Sequence, residues 1–169
     1  EHLQADAVVF NGDTHALACG LLGDSVIEAV PPTQRKKRSL SAVTWCVQAR
    51  TSDFDLAHHN VFFAQDYPGE FKSIFSRREM PLEPTVYICA QDRHDGQQYP
   101  GGAERLLILI NAPADGDHQS FDASQLDQFY EQMQSVVSRC GLTLEADVST
   151  GTTTSPEGFN ELFPATGGA

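Results

Sequence analysis

The chain has 169 residues, the length of one domain that buries an apolar core without disulfides or metals. Hydrophobic residues make up 40% and charged residues 20% of it, a composition that excludes a disordered or fibrous protein. The formal net charge of -12 argues against nucleic acid as a general partner, because a phosphate backbone attracts basic surfaces.

The first predicted elements are short. Residues 7–10 are apolar and predict a buried strand that ends at a turn. A helix is predicted over residues 14–22, with Asp13 or Thr14 as its cap and Gly23 as its stop.

A basic run follows two prolines and forms a predicted linker. It contains four adjacent cations: Arg35, Lys36, Lys37 and Arg38. Two interpretations are open, a solvated loop or a contact with anionic lipid headgroups. In the second, each cation near the membrane surface contributes on the order of 1 kcal/mol.

The middle and the end of the chain are rich in short strands. The predicted strands cover residues 43–49, 60–64, 85–90, 106–111, 142–144 and 147–154. Only two longer helices interrupt them. This pattern predicts an α+β fold, a mostly antiparallel sheet with helices packed on one face.

The two longer helices are predicted from apolar side chains that recur every three or four residues. The first covers about residues 66–78, with three apolar residues on one side: Phe71, Ile74 and Phe75. The second has seven: Leu126, Phe129, Tyr130, Met133, Val136, Val137 and Cys140. We expect Ser124 and Asp127 to form a variant capping box, and Gly141 to end this helix.

The cysteines and the first residues of the chain indicate the cellular compartment of the protein. The four cysteines lie far apart in apolar stretches: Cys19, Cys46, Cys89 and Cys140. We predict buried free thiols in a reducing compartment rather than disulfides or zinc ligands. No signal-peptide pattern opens the chain, so we expect a cytoplasmic protein, with Glu1 as a boundary within a longer chain. The longest aliphatic run, residues 106–110, is far shorter than the ~20 residues that span a bilayer, so we expect only peripheral membrane contact.

Residues 56–63 join two histidines to an aromatic strand. Neighbouring residues of a strand face opposite sides, so His58 and His59 are not expected to share a metal ion. No Glu or Cys lies at ligand spacing nearby, and His94 and His118 are isolated, so we predict no metal site. Two roles remain open, a histidine that fixes the strand end by hydrogen bonds or one that lines a ligand channel.

Two polar clusters have ordinary explanations. Residues 92–95, Asp-Arg-His-Asp, are predicted to form loop salt bridges. Residues 115–117, Asp-Gly-Asp, lack the later Gly and Glu of a calcium loop. No nucleophile elbow or phosphate-binding loop is present, so the residue patterns alone predict a soluble α+β domain without an identifiable chemistry.

Four stretches, taken together and in order, resemble a known family. They are Ala-Asp-Ala-Val-Val-Phe-Asn-Gly-Asp at 5–13, Leu-Ala-His-His-Asn-Val-Phe-Phe at 56–63, Glu-Pro-Thr-Val-Tyr-Ile-Cys-Ala-Gln-Asp-Arg at 83–93, and the Ser-Pro-Glu-Gly-Phe segment that opens 155–169. The sequence resembles the bacterial carotenoid desaturases of the phytoene-desaturase type, flavoproteins related to amine oxidases. The third stretch is most similar to the hydroxyneurosporene (methoxyneurosporene) desaturase branch of purple bacteria.

The resemblance implies an FAD-dependent enzyme that introduces a C3–C4 double bond into a 1-hydroxy or 1-methoxy carotenoid. The flavin would accept the electrons, while the protein would hold the polyene in an apolar channel. The family's Gly-x-Gly-x-x-Gly unit is absent from these residues, so they are expected to be inactive alone. Residues 1–30 would belong to the flavin domain as a strand, turn and helix, and residues 31–169 would form the substrate-binding domain.

The resemblance also implies site residues, although it assigns no catalytic acid or base. It places three residues near the flavin: Asn11, Gly12 and Asp13. It places three along the substrate channel: His58, His59 and Phe62. The alternatives are a phytoene desaturase or carotenoid isomerase of the same family, or a free-standing domain that binds an apolar ligand without redox chemistry.

Overall fold

The fold is built on one antiparallel sheet. The computed structural model describes residues 4–93 and 101–169. The strands in these ranges are β1 (Leu40–Ser52), β2 (His59–Phe62), β3 (Val86–Ala90), β4 (Glu104–Pro113), β5 (Thr143–Ala146) and β6 (Thr152–Thr154). Their order is β2-β3-β4-β1-β5, and β6 also pairs with β1. The long strands β1 and β4 form the centre of the sheet. They pair along their length, with Leu40 opposite Pro113 at one end and Ala49 opposite Glu104 at the other.

One face of the sheet, the core face, is filled by apolar side chains. Val43, Trp45 and Val47 alternate along β1, and register places Ile108 of β4 beside Trp45. The long helix α3 (Ala123–Arg139) covers this face with Met133, which is completely buried. The predicted α+β fold with a mostly antiparallel sheet is therefore confirmed.

Helix α3 begins two residues earlier than the expected capping box allows. The Asp122 carboxylate accepts a hydrogen bond from the Gln125 backbone N–H at 2.8 Å, and the Gln125 side chain accepts one from the Asp122 backbone at 3.0 Å. The expected box of Ser124 and Asp127 is wrong, because both residues already lie inside the helix. The expected end is confirmed, since Gly141 adopts a φ of 91° just after the helix, a conformation that favours glycine.

The opposite face of the sheet, here the second face, is only partly covered. A short helix, α4 (Pro156–Leu162), contacts β1 and β6. Phe159 of α4 and the following Phe163 line a cavity of about 360 Å³ together with Ala42 and Leu109 of the second face. Elsewhere on this face His59, Val61 and Cys46 are exposed in the described chain, whereas Thr44 and Cys89 are buried.

The N-terminal segment departs from expectation. Residues 7–10 form no strand, and Val8 and Val9 are 82% and 94% exposed. The predicted buried strand is wrong for the described chain because no strand of the sheet lies beside this segment to supply hydrogen bonds. Helix α1 (Thr14–Ala18) begins at the expected cap, Asp13, but ends before Gly23.

The helix predicted over residues 66–78 is divided. Asp66 caps α2 (Tyr67–Phe71), and a π-helical turn over Lys72–Arg77 continues from it. The turn buries Ile74 but leaves Phe75 exposed, so the three predicted apolar residues do not share one buried side.

Two smaller expectations are also corrected. Residues 147–154 do not form one strand, because Asp147 caps a 3-10 turn over Val148–Thr150 and only β6 pairs with the sheet. The four cysteines are free thiols as expected, but Cys89 alone among them is buried. No helix in the described ranges is long and apolar enough to cross a bilayer.

Candidate functional site

The second face presents an apolar surface built by strand register. Two rows of neighbouring residues cross it from β2 to β1: His59, Cys89, Leu107 and Cys46; and Val61, Tyr87, Leu109 and Thr44. These residues alternate with the buried ones of the core face, since successive side chains of a strand point to opposite sides. Val61 is half exposed, and Leu107 and Leu109 are partly exposed. Exposed apolar surface of this extent is typical of a binding surface.

Four aromatic rings extend this surface beyond β2. This aromatic row consists of Phe63, Tyr67, Phe71 and Phe75. Successive ring centroids are 5.3, 5.0 and 6.0 Å apart. Three of the rings face solvent, with exposures of 58% for Phe63, 41% for Tyr67 and 43% for Phe75. The row passes through the π-helical turn, a rare conformation that is frequent at functional sites.

A polar pair lies in the apolar surface. Nδ1 of His59 and the hydroxyl of Tyr87 share a hydrogen bond of 2.8 Å, and the two rings are nearly parallel. Partial burial, followed by the neighbouring Cys89 thiol, raises the pKa of Tyr87 above its usual value. The phenol therefore keeps its proton at neutral pH and remains able to donate.

His58 does not diverge from His59 as predicted. It precedes β2, so pleated geometry does not apply to it, and the ring centroids are 4.4 Å apart. Nδ1–H of His58 donates to the carbonyl of Arg93 at 2.6 Å, and Nε2 lies 3.7 Å from Sγ of Cys89. A ring nitrogen of each histidine and this sulfur lie within 4.8 Å of one another. The argument from strand geometry is therefore wrong for His58, and the expected absence of a metal site stays a prediction.

A buried ion pair supports the loop that holds His58. Nε and Nη2 of Arg93 donate to the Glu104 carboxylate at 2.8 Å each, and the Thr51 hydroxyl donates to it at 2.6 Å. Burial disfavours the charge of Glu104, but the hydrogen bonds from Arg93 and Thr51 outweigh it and hold the pKa below its usual value. The Arg93 carbonyl that orients His58 is thereby fixed.

The expected loop salt bridges at residues 92–95 are found for the described half of that cluster. Asp92 pairs with Arg105 at 2.5 Å, and Arg93 pairs with Glu104. Both partners belong to β4, so the bridges join the loop to the sheet. His94 and Asp95 lie outside the described residues.

The other predicted site residues are dispersed. Phe62 lies on the core face, 4% exposed, with its ring 5.3 Å from that of Phe54, and so it is not grouped with His59. Asp13 caps α1 by accepting the His15 N–H at 2.7 Å. Asn11 and Gly12 are exposed in the N-terminal segment and belong to none of the strands β1 to β6.

The basic run is partly engaged in ion pairs. Arg38 is buried and binds Asp117 with two nitrogens, at 2.8 and 2.7 Å. Hydrogen bonds from Arg38 hold the pKa of Asp117 far below its usual value. Arg35 binds Asp115 at 2.6 Å, but its side chain is still 48% exposed, so of the four cations Arg38 is the one that is withdrawn from the surface. Lys36 and Lys37 remain exposed.

Sequence reasoning missed Tyr87, the leucines of β4 and the aromatic row. The spacing of residues 63, 67, 71 and 75 is visible in the sequence and predicts one helical stripe. The side of the sheet on which the leucines lie could not be predicted in this way, because an apolar residue in a strand can occur on either face.

Comparison with known proteins identifies the chain's relatives. No family model matches it. It is 50% identical to a hydroxyneurosporene desaturase of Rubrivivax gelatinosus over 100% of this chain and 32% of that protein. It is 42% identical to the hydroxyneurosporene desaturase of Cereibacter sphaeroides, over 99% of this chain and 33% of the relative. A 1-hydroxycarotenoid 3,4-desaturase of Flavobacterium sp. is 34% identical over 66% of this chain and 22% of its own length.

The chain thus spans about a third of the length of the curated relatives that it matches along its whole extent. An identity of 50% over 169 residues is far beyond what a shared fold alone requires. The expected resemblance is confirmed, and the chain belongs to the carotenoid desaturase family.

Proposed function

We propose that the chain is the substrate-binding part of an FAD-dependent desaturase, and that a carotenoid polyene lies along the second face and the aromatic row. The observation that carries this proposal is an exposed apolar surface on a sheet whose opposite face is already filled by a core. Aromatic rings and leucines offer a polyene extensive apolar contact, with few polar groups to desolvate.

The reaction proposed for the whole protein is the formation of a C3–C4 double bond in a 1-hydroxy or 1-methoxy carotenoid. Each carbon loses one hydrogen, one of them with its electron pair to the oxidant and the other as a proton. FAD, when bound, supplies the electron acceptor. The residues of this chain bind and align the polyene and keep water from the reacting carbons.

The residues present do not fit a complete FAD site. The sequence contains no glycine-rich strand-turn-helix for the pyrophosphate, and Asp13 is engaged as a helix cap. We therefore assign the dinucleotide site to other parts of the longer protein. Contact of Asn11, Gly12 and Asp13 with the flavin stays a prediction.

We further propose that residues 1–30 belong to the flavin domain and residues 31–169 to the substrate-binding domain. The exposure of Val8 and Val9 supports this division, because apolar side chains in an unpaired extended segment suit a strand that joins another sheet. Limited proteolysis of the longer protein should then spare residues 7–10 when FAD is bound and cleave there when it is removed.

We propose peripheral contact with the membrane in the cytoplasm, through fewer cations than the four that the sequence indicated. Lys36 and Lys37 are exposed and not engaged by the two carboxylates; Arg35 is exposed but paired with Asp115, and Arg38 is buried against Asp117. Two lysines supply about 2 kcal/mol near an anionic surface, so binding should be weak and lost at high salt. Flotation with anionic vesicles, comparing the wild type with a Lys36→Glu, Lys37→Glu variant, tests this.

Product analysis tests the proposed function. The gene, extended on both sides of these residues, is expressed in a host that accumulates 1-hydroxy carotenoids. We expect a product lacking two hydrogens, with the new double bond at C3–C4. A double bond elsewhere would identify a phytoene desaturase, and a geometric isomer of unchanged mass an isomerase. An extended protein without flavin absorbance would favour a binding domain without redox chemistry.

A further inference from the structure

The second face has a polar end and an apolar end. The His59–Tyr87 pair marks the first, and the aromatic row from Phe63 to Phe75 forms the second. His59 and Phe63 are four positions apart, which corresponds to about 13 Å of extended chain. Along the row the ring centroids then follow at steps of 5.3, 5.0 and 6.0 Å.

A 1-hydroxy carotenoid has the same division, with one hydroxyl at the end of a long hydrocarbon. We propose that His59 and Tyr87 bind the C1 hydroxyl of the substrate and thereby determine which end of the polyene is desaturated. This inference rests on the proposed function and names the recognition residues of that site.

The chemistry of the pair suits a neutral hydroxyl. When the Tyr87 phenol donates to Nδ1 of His59, the phenol oxygen can still accept a hydrogen bond beside the neighbouring Cys89 thiol, and Nε2–H of the histidine can donate one. A hydroxyl needs both kinds of partner, and leaving it unpaired in an apolar channel is costly. Both groups are reachable, because His59 is exposed and Tyr87 is half-buried.

The buried carboxylate of α2, the helix that carries Tyr67 and Phe71, is already satisfied. Glu70 is buried and accepts hydrogen bonds from Thr85 at 2.6 Å and from Asn111 at 3.2 Å. In the aromatic row, Phe63, Phe71 and Phe75 offer no hydrogen-bonding group, and Tyr67 offers a single phenol that is flanked by the rings of Phe63 and Phe71 rather than by a histidine. Among these residues, the His59–Tyr87 pair is therefore the group suited to a substrate hydroxyl.

Substrate selectivity of the full-length protein tests the inference. The variant Tyr87→Phe removes one oxygen and keeps the ring, and Tyr67→Phe does the same within the aromatic row as a matched control. For each protein, kcat/KM is measured with the 1-hydroxy carotenoid and with the same polyene lacking the hydroxyl. His59→Phe serves as a second variant at an exposed position, and thermal melting checks its folding.

We expect Tyr87→Phe and His59→Phe to lower kcat/KM about tenfold for the hydroxylated substrate, the effect of one lost hydrogen bond. Turnover of the analogue should change less than twofold, and Tyr67→Phe should leave the selectivity ratio unaltered. Equal losses on both substrates, or an unchanged ratio in both site variants, would overturn the inference. If the wild type forms the C3–C4 product, such a result refutes the recognition role alone; a wild type that desaturates neither substrate refutes the proposed function as well.

Discussion

Replacing Arg93 with methionine removes the cation from a carboxylate that is fully buried. Glu104 has no exposed side-chain surface, and the Arg93 guanidinium contacts it with two nitrogens at 2.8 Å. In the variant, Thr51 remains as a hydrogen-bond donor to Glu104, but the charge loses its counterion. Methionine keeps most of the aliphatic volume, so the perturbation is the loss of the charge and of its hydrogen bonds, including the one to the Leu56 carbonyl at 2.8 Å.

Breaking a buried ion pair from one side costs about 3–5 kcal/mol, because an uncompensated charge stays in the interior. Domains of this size have total stabilities of about 5–15 kcal/mol and lose roughly 2–4 °C of Tm per kcal/mol. We therefore expect Tm to fall on the order of 10 °C. The matched control is Arg105→Met, which breaks the exposed pair with Asp92 and should cost below about 1 kcal/mol.

The pH dependence of the wild type has a definite sign. The pKa of Glu104 is lower in the folded protein than in the unfolded chain, so its contribution is complete above the unfolded value of about 4.3. The contribution is lost as the pH falls through the folded pKa. Circular dichroism melts between pH 7 and 3 measure this loss, and Arg93→Met should show less of it. A variant that melts within 2 °C of Arg105→Met at pH 7 would refute the reasoning.

Further predictions concern the core, the second face and the ion pairs. Trp45→Ala should cost about 3–5 kcal/mol in urea unfolding, and a loss below 1 kcal/mol would contradict the core assignment. Tyr67→Ser with Phe75→Ser should weaken carotenoid binding at least tenfold in absorbance titrations of the full-length protein; unchanged binding would contradict a polyene on the aromatic row. Asp115→Asn leaves two arginine partners without their carboxylate and should lower Tm by several degrees; an unchanged Tm would argue against these ion pairs. Burial disfavours the charge of Asp115, but the arginines hold its pKa below the usual value, so acid should lower the Tm of the wild type in a similar way. Gly167→Ala should destabilise the C-terminal segment, detected by faster proteolysis there, because an added Cβ would lie 2.5 Å from the Ala114 carbonyl oxygen; equal cleavage rates would contradict this packing.

Periodicity predicted which residues share a face, and it succeeded where a segment has enough repeats. The stripe of α3 and the alternation along β1 were visible because apolar side chains recur over several turns or pleats. The same alternation could not indicate that Tyr87 lies beside Leu109, since that neighbour is set by strand order. The second face therefore emerged only from the pairing of β2, β3, β4 and β1.

Predictions from neighbouring residues were wrong where contacts with residues far away in the sequence determine the structure. Arg38 was predicted to be solvated within a charge run, but its partner Asp117 is 79 residues away and buries it. His58 was treated as part of a strand, although β2 begins one residue later, and this shift brings its ring to Cys89. Residues 7–10 have the composition of a strand but no neighbouring edge in the described chain.

Two native thiols test the central claim that the polyene lies on the second face. Cys46 is exposed on that face beside Leu107, whereas Cys140 is exposed at the end of α3. Alkylation rates of both thiols are measured by mass spectrometry in the full-length protein, with and without carotenoid. We expect the carotenoid to slow alkylation of Cys46 and to leave alkylation of Cys140 unchanged. Equal rates for Cys46 in both states, or protection of Cys140 alone, would contradict it.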